Sequence, residues 1–373
     1  MNENEFYEYK KDNFLKIVEW LNEEVLPKAI DRVNTNKFKL MTSKLLSERL
    51  PQNQRNLTDA RTRIGTLLEY CLAVELNDLL SDYQLEGFIT GFVLANRYPD
   101  LVVRDRNFEQ VLRLEIKSIE GISEEKSANF DVGIRNIDKN SDVVCVMLWE
   151  WERIVHNNYE IEFPKVHRVY AFDAYTLAQY RDINWLNKVT GKSFKLIDIS
   201  GVFVPNGDKF KEEEGNMGKL LRIDTHTNKD VYVKNNYTTE LYEKFKKEVI
   251  LFGLMEISKR TIEIFSSSKL DTVKYYENEY DSTKLNILGD CLKKDDNSYL
   301  IIIGGTLRSL KTLKNIVNEH LEEQNIQASS INVMVYNEKF SWKYYKVGED
   351  GSAIEIVAIG NKPESAYEKA ASK

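Results

Sequence analysis

The sequence predicts an α/β protein: an N-terminal helical segment, then a mixed sheet flanked by helices, then a C-terminal α/β unit. Three stretches of the 373 residues carry that expectation. Residues 59–80 place Ile64, Leu67, Leu68, Cys71, Leu72, Leu76 and Leu79 on one broad helical face. Residues 97–119, RYPDLVVRDRNFEQVLRLEIKSI, hold two apolar runs around a polar turn, which is a hairpin signature. Residues 142–151, DVVCVMLWEW, form the near-continuous apolar run of a buried strand.

Taken in order, residues 5–50 read mostly as helix. Phe14, Leu15, Val18, Trp20, Leu21, Val25 and Leu26 recur at helical spacing until Pro27, which is expected to break the pattern, and a second segment, 38–50, ends at Pro51. A polar, partly basic stretch then leads into the helix at 59–80. On its wheel Glu69 falls at the border of the apolar face and Glu75 inside it. A carboxylate so placed usually snorkels or finds a partner. Residues 84–94 read as a glycine-containing first strand leading into the hairpin.

In the second arm of the hairpin Leu112, Leu114 and Ile116 alternate with Arg113, Glu115 and Lys117. Strand side chains repeat every two residues, so Glu115 and Lys117 share one face while the leucines face a core. With the turn centred between Asn107 and Phe108, antiparallel pairing sets Asp100 across from Glu115. Two neighbouring carboxylates resist joint ionisation unless a cation joins them. Asp100, Glu115, the Ile116 carbonyl and waters suit Mg²⁺, which takes few carboxylates. Lys117 would steady the attacking water or the phosphate, and the chemistry that follows is metal-assisted hydrolysis of a phosphodiester. The same residues would also serve as a surface hairpin with a cross-strand salt bridge.

Pro99-Asp100, fourteen residues, then Glu115-Ile116-Lys117 resembles the signature of the PD-(D/E)xK nuclease superfamily, in particular type II restriction endonucleases. RTRIGTLLEY, residues 61–70, is similar to the helix that precedes the catalytic hairpin in many of them. The resemblance implies that Glu69 completes the metal site, with Glu75 as its competitor. It also implies a restriction-endonuclease-like core of order α-β-β-β-α-β, with residues 122–138 as connecting helix or loop. Gly65 would allow close helix–sheet approach, and Arg61 and Arg63 would reach phosphate, with Lys126 and Arg135 as further DNA contacts.

Composition bounds the rest. Hydrophobic residues at 42% and charged residues at 30% describe a globular chain rather than a disordered one. The longest apolar runs are far too short to span a bilayer, and MNENEFYEYKKDNF has no apolar signal core. Cys71, Cys145 and Cys291 read as reduced residues of a cytoplasmic protein. The net charge of −7 argues against a non-specific nucleic-acid coat but leaves a local cationic cleft open.

Downstream, strands are expected at 166–172 and 194–204 around a helix at 173–186, followed by a loop-rich segment at 206–236. The four histidines show no metal-ligand spacing and are assigned no chemistry. Residues 238–265 read as a long helix apolar enough to pack on both sides. The last hundred residues suggest strands at 299–303, 331–336 and 354–359 with a helix at 310–320. Gly304-Gly305-Thr306 lacks the Lys-Ser/Thr of a P-loop and reads as a tight turn.

The expectation is therefore a helical segment at 1–54, a nuclease domain at 55–235 and an α/β region at 236–373 for recognition or dimerisation. The expected activity is Mg²⁺-dependent, sequence-specific cleavage of double-stranded DNA to 5′-phosphates. The resemblance further implies a homodimer and a cognate DNA methyltransferase as genetic partner. The alternatives are a non-catalytic DNA-binding or assembly protein on the same fold, or a repair or transposition nuclease of the superfamily.

Overall fold

A computed structural model describes residues 1–41, 54–93, 98–121, 128, 130, 132, 136–156, 158–190, 220–223, 236–265, 270–276, 283–293, 296–337, 341–347 and 354–360. The protein is α/β, with N-terminal helices and two mixed sheets flanked by helices. It separates into two compact units, Met1–Lys246 and Lys247–Lys373.

Helix α1 (Glu3–Asp12) opens on a reciprocal cap: the Asn2 side chain accepts from the Glu5 N–H, and the Glu5 carboxylate accepts from the Asn2 N–H. Helix α2 (Phe14–Trp20) passes through one wide π turn (Leu21–Val25) into α3 (Leu26–Met41). Pro27 therefore does not end the helix, contrary to the sequence expectation. The Leu26 N–H reaches back five residues to the Leu21 carbonyl. That wider turn lies just ahead of the proline, whose ring and missing N–H disrupt a regular ladder. The rest of the predicted 38–50 segment lies outside the described residues.

Helix α4 (Gln54–Asp82) leads into three antiparallel strands, β1 (Ile89–Phe92), β2 (Leu101–Arg104) and β3 (Gln110–Glu120). β1 is shorter than the predicted 84–94, because the chain first caps α4. Gln84 takes a left-handed φ of 59° and the Leu85 N–H bonds the Leu80 carbonyl at 2.9 Å. β4 (Asp142–His156) runs parallel to β3 and pairs antiparallel with β5 (Tyr159–Asp173), giving the order β1-β2-β3-β4-β5. β4 and β5 both run longer than their apolar cores suggested, because they meet in a tight turn where Asn158 has φ 68°. The crossover at 122–138 is described only in part. The predicted strand 194–204 lies outside the described residues, as does most of 206–236.

One face of this sheet carries Leu112, Leu114, Ile116, Val143, Cys145 and Met147 into a core shared with α1–α4. Asparagines on those helices close the sheet's edges. Asn22 and Asn34 each donate to and accept from β5, at Ala171 (2.8 and 2.8 Å) and Val166 (2.7 and 2.9 Å). Asn77 of α4 does the same at Thr90 of β1. Each amide imitates a strand partner and satisfies an edge that would otherwise remain open to pairing. The opposite face meets α5 (Ala174–Thr190), capped by the Asp173 side chain, and the start of α6 (Asn236–Phe265), whose Phe245 packs on Tyr170 and Phe172.

In the second unit the later part of α6 covers one face of a six-stranded sheet through Leu254, Ile262 and Phe265. Its strands are β6 (Leu270–Tyr275), β7 (Leu285–Lys293), β8 (Ser298–Gly305), β9 (Ser330–Asn337), β10 (Ser341–Val347) and β11 (Ile354–Gly360), in the order β11-β10-β9-β8-β7-β6. Helix α7 (Leu310–Glu323) joins β8 to the parallel β9 and covers the other face through Leu313 and Val317. Gly305 ends β8 with φ 119°, where a Cβ would stand 2.0 Å from the Lys284 carbonyl. Gly304-Gly305-Thr306 thus belongs to a strand end, not to the N-terminus of α7, which begins after the Ser309 cap. The element order of the first unit recurs here: a helix, three antiparallel strands, a crossover, a strand parallel to the third, and an antiparallel partner.

Candidate active site

The hairpin of β2 and β3 sets the site, and its register follows from its turn. Asp105 accepts from the Asn107 and Glu109 N–H groups, and its own N–H bonds the Glu109 carbonyl, so the tip is centred on Asn107. That is half a residue before the predicted centre. A bulge then adds Val111 to β3, between the pairs Arg104–Gln110 and Val103–Leu112. The two departures cancel. Leu101 pairs with Leu114, and one step further Asp100 stands across from Glu115.

The Asp100 carboxylate accepts the Ile116 N–H at 2.7 Å. The Arg113 N–H, three residues earlier, donates instead to Ser141 beside β4. Backbone groups alternate sides along a strand, so the Ile116 carbonyl opens toward the β2 edge, beside Asp100. β3 continues past the end of β2 from residue 115 onward, and among the described residues no strand pairs with it on that side. Glu115 is buried, and its Oε1 accepts from the Lys117 ammonium at 2.5 Å; the Lys117 side chain keeps 21% exposure.

Helix α4 reaches the same place from the other face of the sheet. Gly65 makes this possible, since a Cβ there would stand 3.0 Å from the Ser118 Oγ. One helical turn later Glu69 is half-buried. Burial, then the Asp100 charge, then Glu115 push its carboxyl up to about 7, against the pull of Lys117. Glu75 is placed differently: it is buried against α3 and accepts from the Asn36 side chain at 2.6 Å. The structure brings Asp100, Glu115, Lys117 and Glu69 together and sets Glu75 apart.

Among the described residues, no three Asp, Glu, His or Cys side chains form a ready-made metal cage. Mg²⁺ does not need one, because it keeps several waters and binds through one or two carboxylates. Asp100, Glu115 and the Ile116 carbonyl are hard-oxygen donors of the type Mg²⁺ takes, with Glu69 close enough to feel the Asp100 charge.

Arg63 is exposed on α4. Arg61 lies on the same helix, with its side chain outside the described set, and Lys126 and Arg135 lie outside the described residues. Sequence reasoning missed the buried Asp142, which read only as the first residue of an apolar run. It also missed a carboxylate–imidazole contact in the second unit, where His320 Nε2 lies 2.8 Å from Asp290. Cys71, Cys145 and Cys291 form no disulfide, and the last two are buried. No helix among the described residues is long and apolar enough to cross a membrane. Comparison with protein-family models, with curated proteins and with solved structures returns no match.

Proposed function

We propose that this protein is a Mg²⁺-dependent, sequence-specific endonuclease of the type II restriction class, acting on double-stranded DNA. One observation carries the reading: three separate chain segments bring Asp100, Glu115 with Lys117, and Glu69 near one another beside the edge of β3. The order of α4, three antiparallel strands and a parallel fourth supports it, being the order of a restriction-endonuclease-like core. Asp100, Glu115 and the Ile116 carbonyl would hold Mg²⁺, with Glu69 in support. When bound, Mg²⁺ supplies charge stabilisation at a phosphoryl oxygen and acidifies water.

Lys117 would orient the attacking water through its ammonium or, as the neutral amine, help deprotonate it. Glu115 keeps that ammonium in place. Water adds to phosphorus as the bond to the 3′ oxygen breaks, leaving a 5′-phosphate and a 3′-hydroxyl. Arg61, Arg63, Lys126 and Arg135 are proposed to meet the DNA backbone. A homodimer would present two such centres to two strands, and a cognate methyltransferase would protect host sites.

A second reading, a non-catalytic DNA-binding protein on the same fold, draws on the Glu115–Lys117 pair. That pair neutralises one carboxylate without a metal. Incubation of the purified protein with unmodified and with modified phage DNA, with and without Mg²⁺, separates the two. Discrete Mg²⁺-dependent fragments with 5′-phosphate ends support the endonuclease. Intact DNA from both substrates overturns it in favour of the scaffold.

A further inference from the structure

Near the site, the Asp142 carboxylate at the start of β4 is 0% exposed and accepts four hydrogen bonds among the described residues. Its Oδ1 accepts from Arg113 Nε at 2.5 Å. Its Oδ2 accepts from Arg113 Nη2 at 2.5 Å, the Tyr98 hydroxyl at 2.7 Å and the Asp138 N–H at 3.0 Å. The Arg113 guanidinium also lies 5.5 Å from the centre of the Tyr98 ring. Two residues after Tyr98 comes Asp100, and two residues after Arg113 comes Glu115. Each carboxylate of the candidate metal pair thus follows, at the same spacing, a side chain anchored on one buried oxygen pair.

This spacing has a mechanical consequence. Arg113 and Glu115 stand on the same face of β3, one pleat apart. Arg113 is also the backbone partner of Asp142 at the head of the parallel ladder. Asp100 lies just outside β2, where its carbonyl accepts the Val93 N–H at 2.9 Å. It is held by its bond to the Ile116 N–H on one side and by the Tyr98 anchor on the other.

We propose that Asp142 is a positioning residue that fixes the separation of Asp100 and Glu115 for a divalent cation, through Tyr98 on one side and Arg113 on the other. The proposal rests on the endonuclease reading only for the identity of the metal pair. Asp142 bonds neither carboxylate itself and acts on both through the residues two positions before them; groups that hold metal ligands from behind set how well those ligands converge.

The test is titration calorimetry of Mn²⁺ into the full chain. Tyr98→Phe removes one anchor and keeps the carboxylate–guanidinium pair, and Asp142→Asn weakens both anchors. Tyr7→Phe is the matched control, because it removes a tyrosine–aspartate bond of the same length (2.7 Å, to Asp105) at the far end of the hairpin. Asp100→Ala reports the metal pair itself. The expected result is an affinity about 10- to 100-fold weaker in Tyr98→Phe, a larger loss in Asp142→Asn, no change in Tyr7→Phe and no binding in Asp100→Ala. If Asp142→Asn does not fold, Tyr98→Phe decides. Wild-type affinity in Tyr98→Phe, with binding lost in Asp100→Ala, overturns the proposal and leaves the endonuclease reading standing. Unchanged binding in Asp100→Ala, or none in the wild type, overturns both.

Discussion

Glu69 shows how one side chain's surroundings decide its chemistry. It shares α4 with Glu75, yet burial and the nearby Asp100 charge lift its carboxyl from an ordinary 4.5 to about 7. A carboxyl with a raised folded pKa prefers its neutral form in the fold. Its contribution is therefore without penalty below about pH 4.5 and costs the folded state progressively as pH rises toward and past 7. Asp173 and Asp182, each pushed up to about 6 by burial, act with the same sign. A difference between variant and wild type isolates Glu69. In chelator, Glu69→Gln is expected to gain stability relative to the wild type between pH 5 and pH 8, read from urea midpoints. Parallel curves would contradict this placement of Glu69. Asp100, Glu115 and Lys117 were legible in the sequence because the two-residue strand period and a recognisable turn determine register, whereas Glu69 came from the resemblance of its helix, which left Glu75 as a competitor. Asp142 was not, because its side-chain partners Arg113 and Tyr98 lie 29 and 44 positions away and no local pattern encodes them.

At the scale of elements, the hairpin kept its predicted register only because a bulge offset a shifted turn, a compensation that spacing alone does not reveal. The N-terminal helix shows the opposite case. Pro27 is a sound stop signal locally, yet the apolar stripe on both sides of it packs into one core, and a π turn accommodates the ring. Strand edges were equally illegible. Asn22, Asn34 and Asn77 carry no sequence mark that distinguishes them from surface asparagines, although each closes a strand edge with a pair of bonds. Asn22→Ala would leave the Ala171 N–H and carbonyl without that partner, at a cost of about 1–3 kcal/mol. Chemical denaturation measures this, and a change below about 0.5 kcal/mol, ordinary for a surface substitution, would show that the amide is not closing the edge.

At the scale of the whole molecule, two units repeat one element order with different polar side chains. In the first, Asp100 faces Glu115. In the second, Asp290 of β7 pairs with Ile301 of β8, a strand reading SYLIIIGG with no charged side chain. Asp290 works against burial to stay below the ordinary carboxylate range, held there by hydrogen bonds from His320, Tyr276 and Tyr299. This similarity escapes sequence comparison within the chain because topology rests on apolar alternation, which many sequences satisfy. The C-terminal α/β character was legible from its apolar runs, while β6, β7 and β10, with mixed polarity, were not. His320→Ala is expected to destabilise the protein by about 1.5–3 kcal/mol, since it removes a bond to a buried charged group. DNA cleavage by the folded variant should be unchanged, and a lost cleavage rate at full occupancy of the fold would assign the second unit a share in the chemistry.

The central claim is that Asp100 and Glu115 form a metal-dependent phosphodiesterase centre. Its most direct test compares wild type, Asp100→Ala and Glu115→Gln on the same phage DNA in Mg²⁺, with DNA binding measured in Ca²⁺. The expected result is discrete fragments from the wild type, none from either variant, and DNA binding retained by all three. Full cleavage by Asp100→Ala would contradict the account.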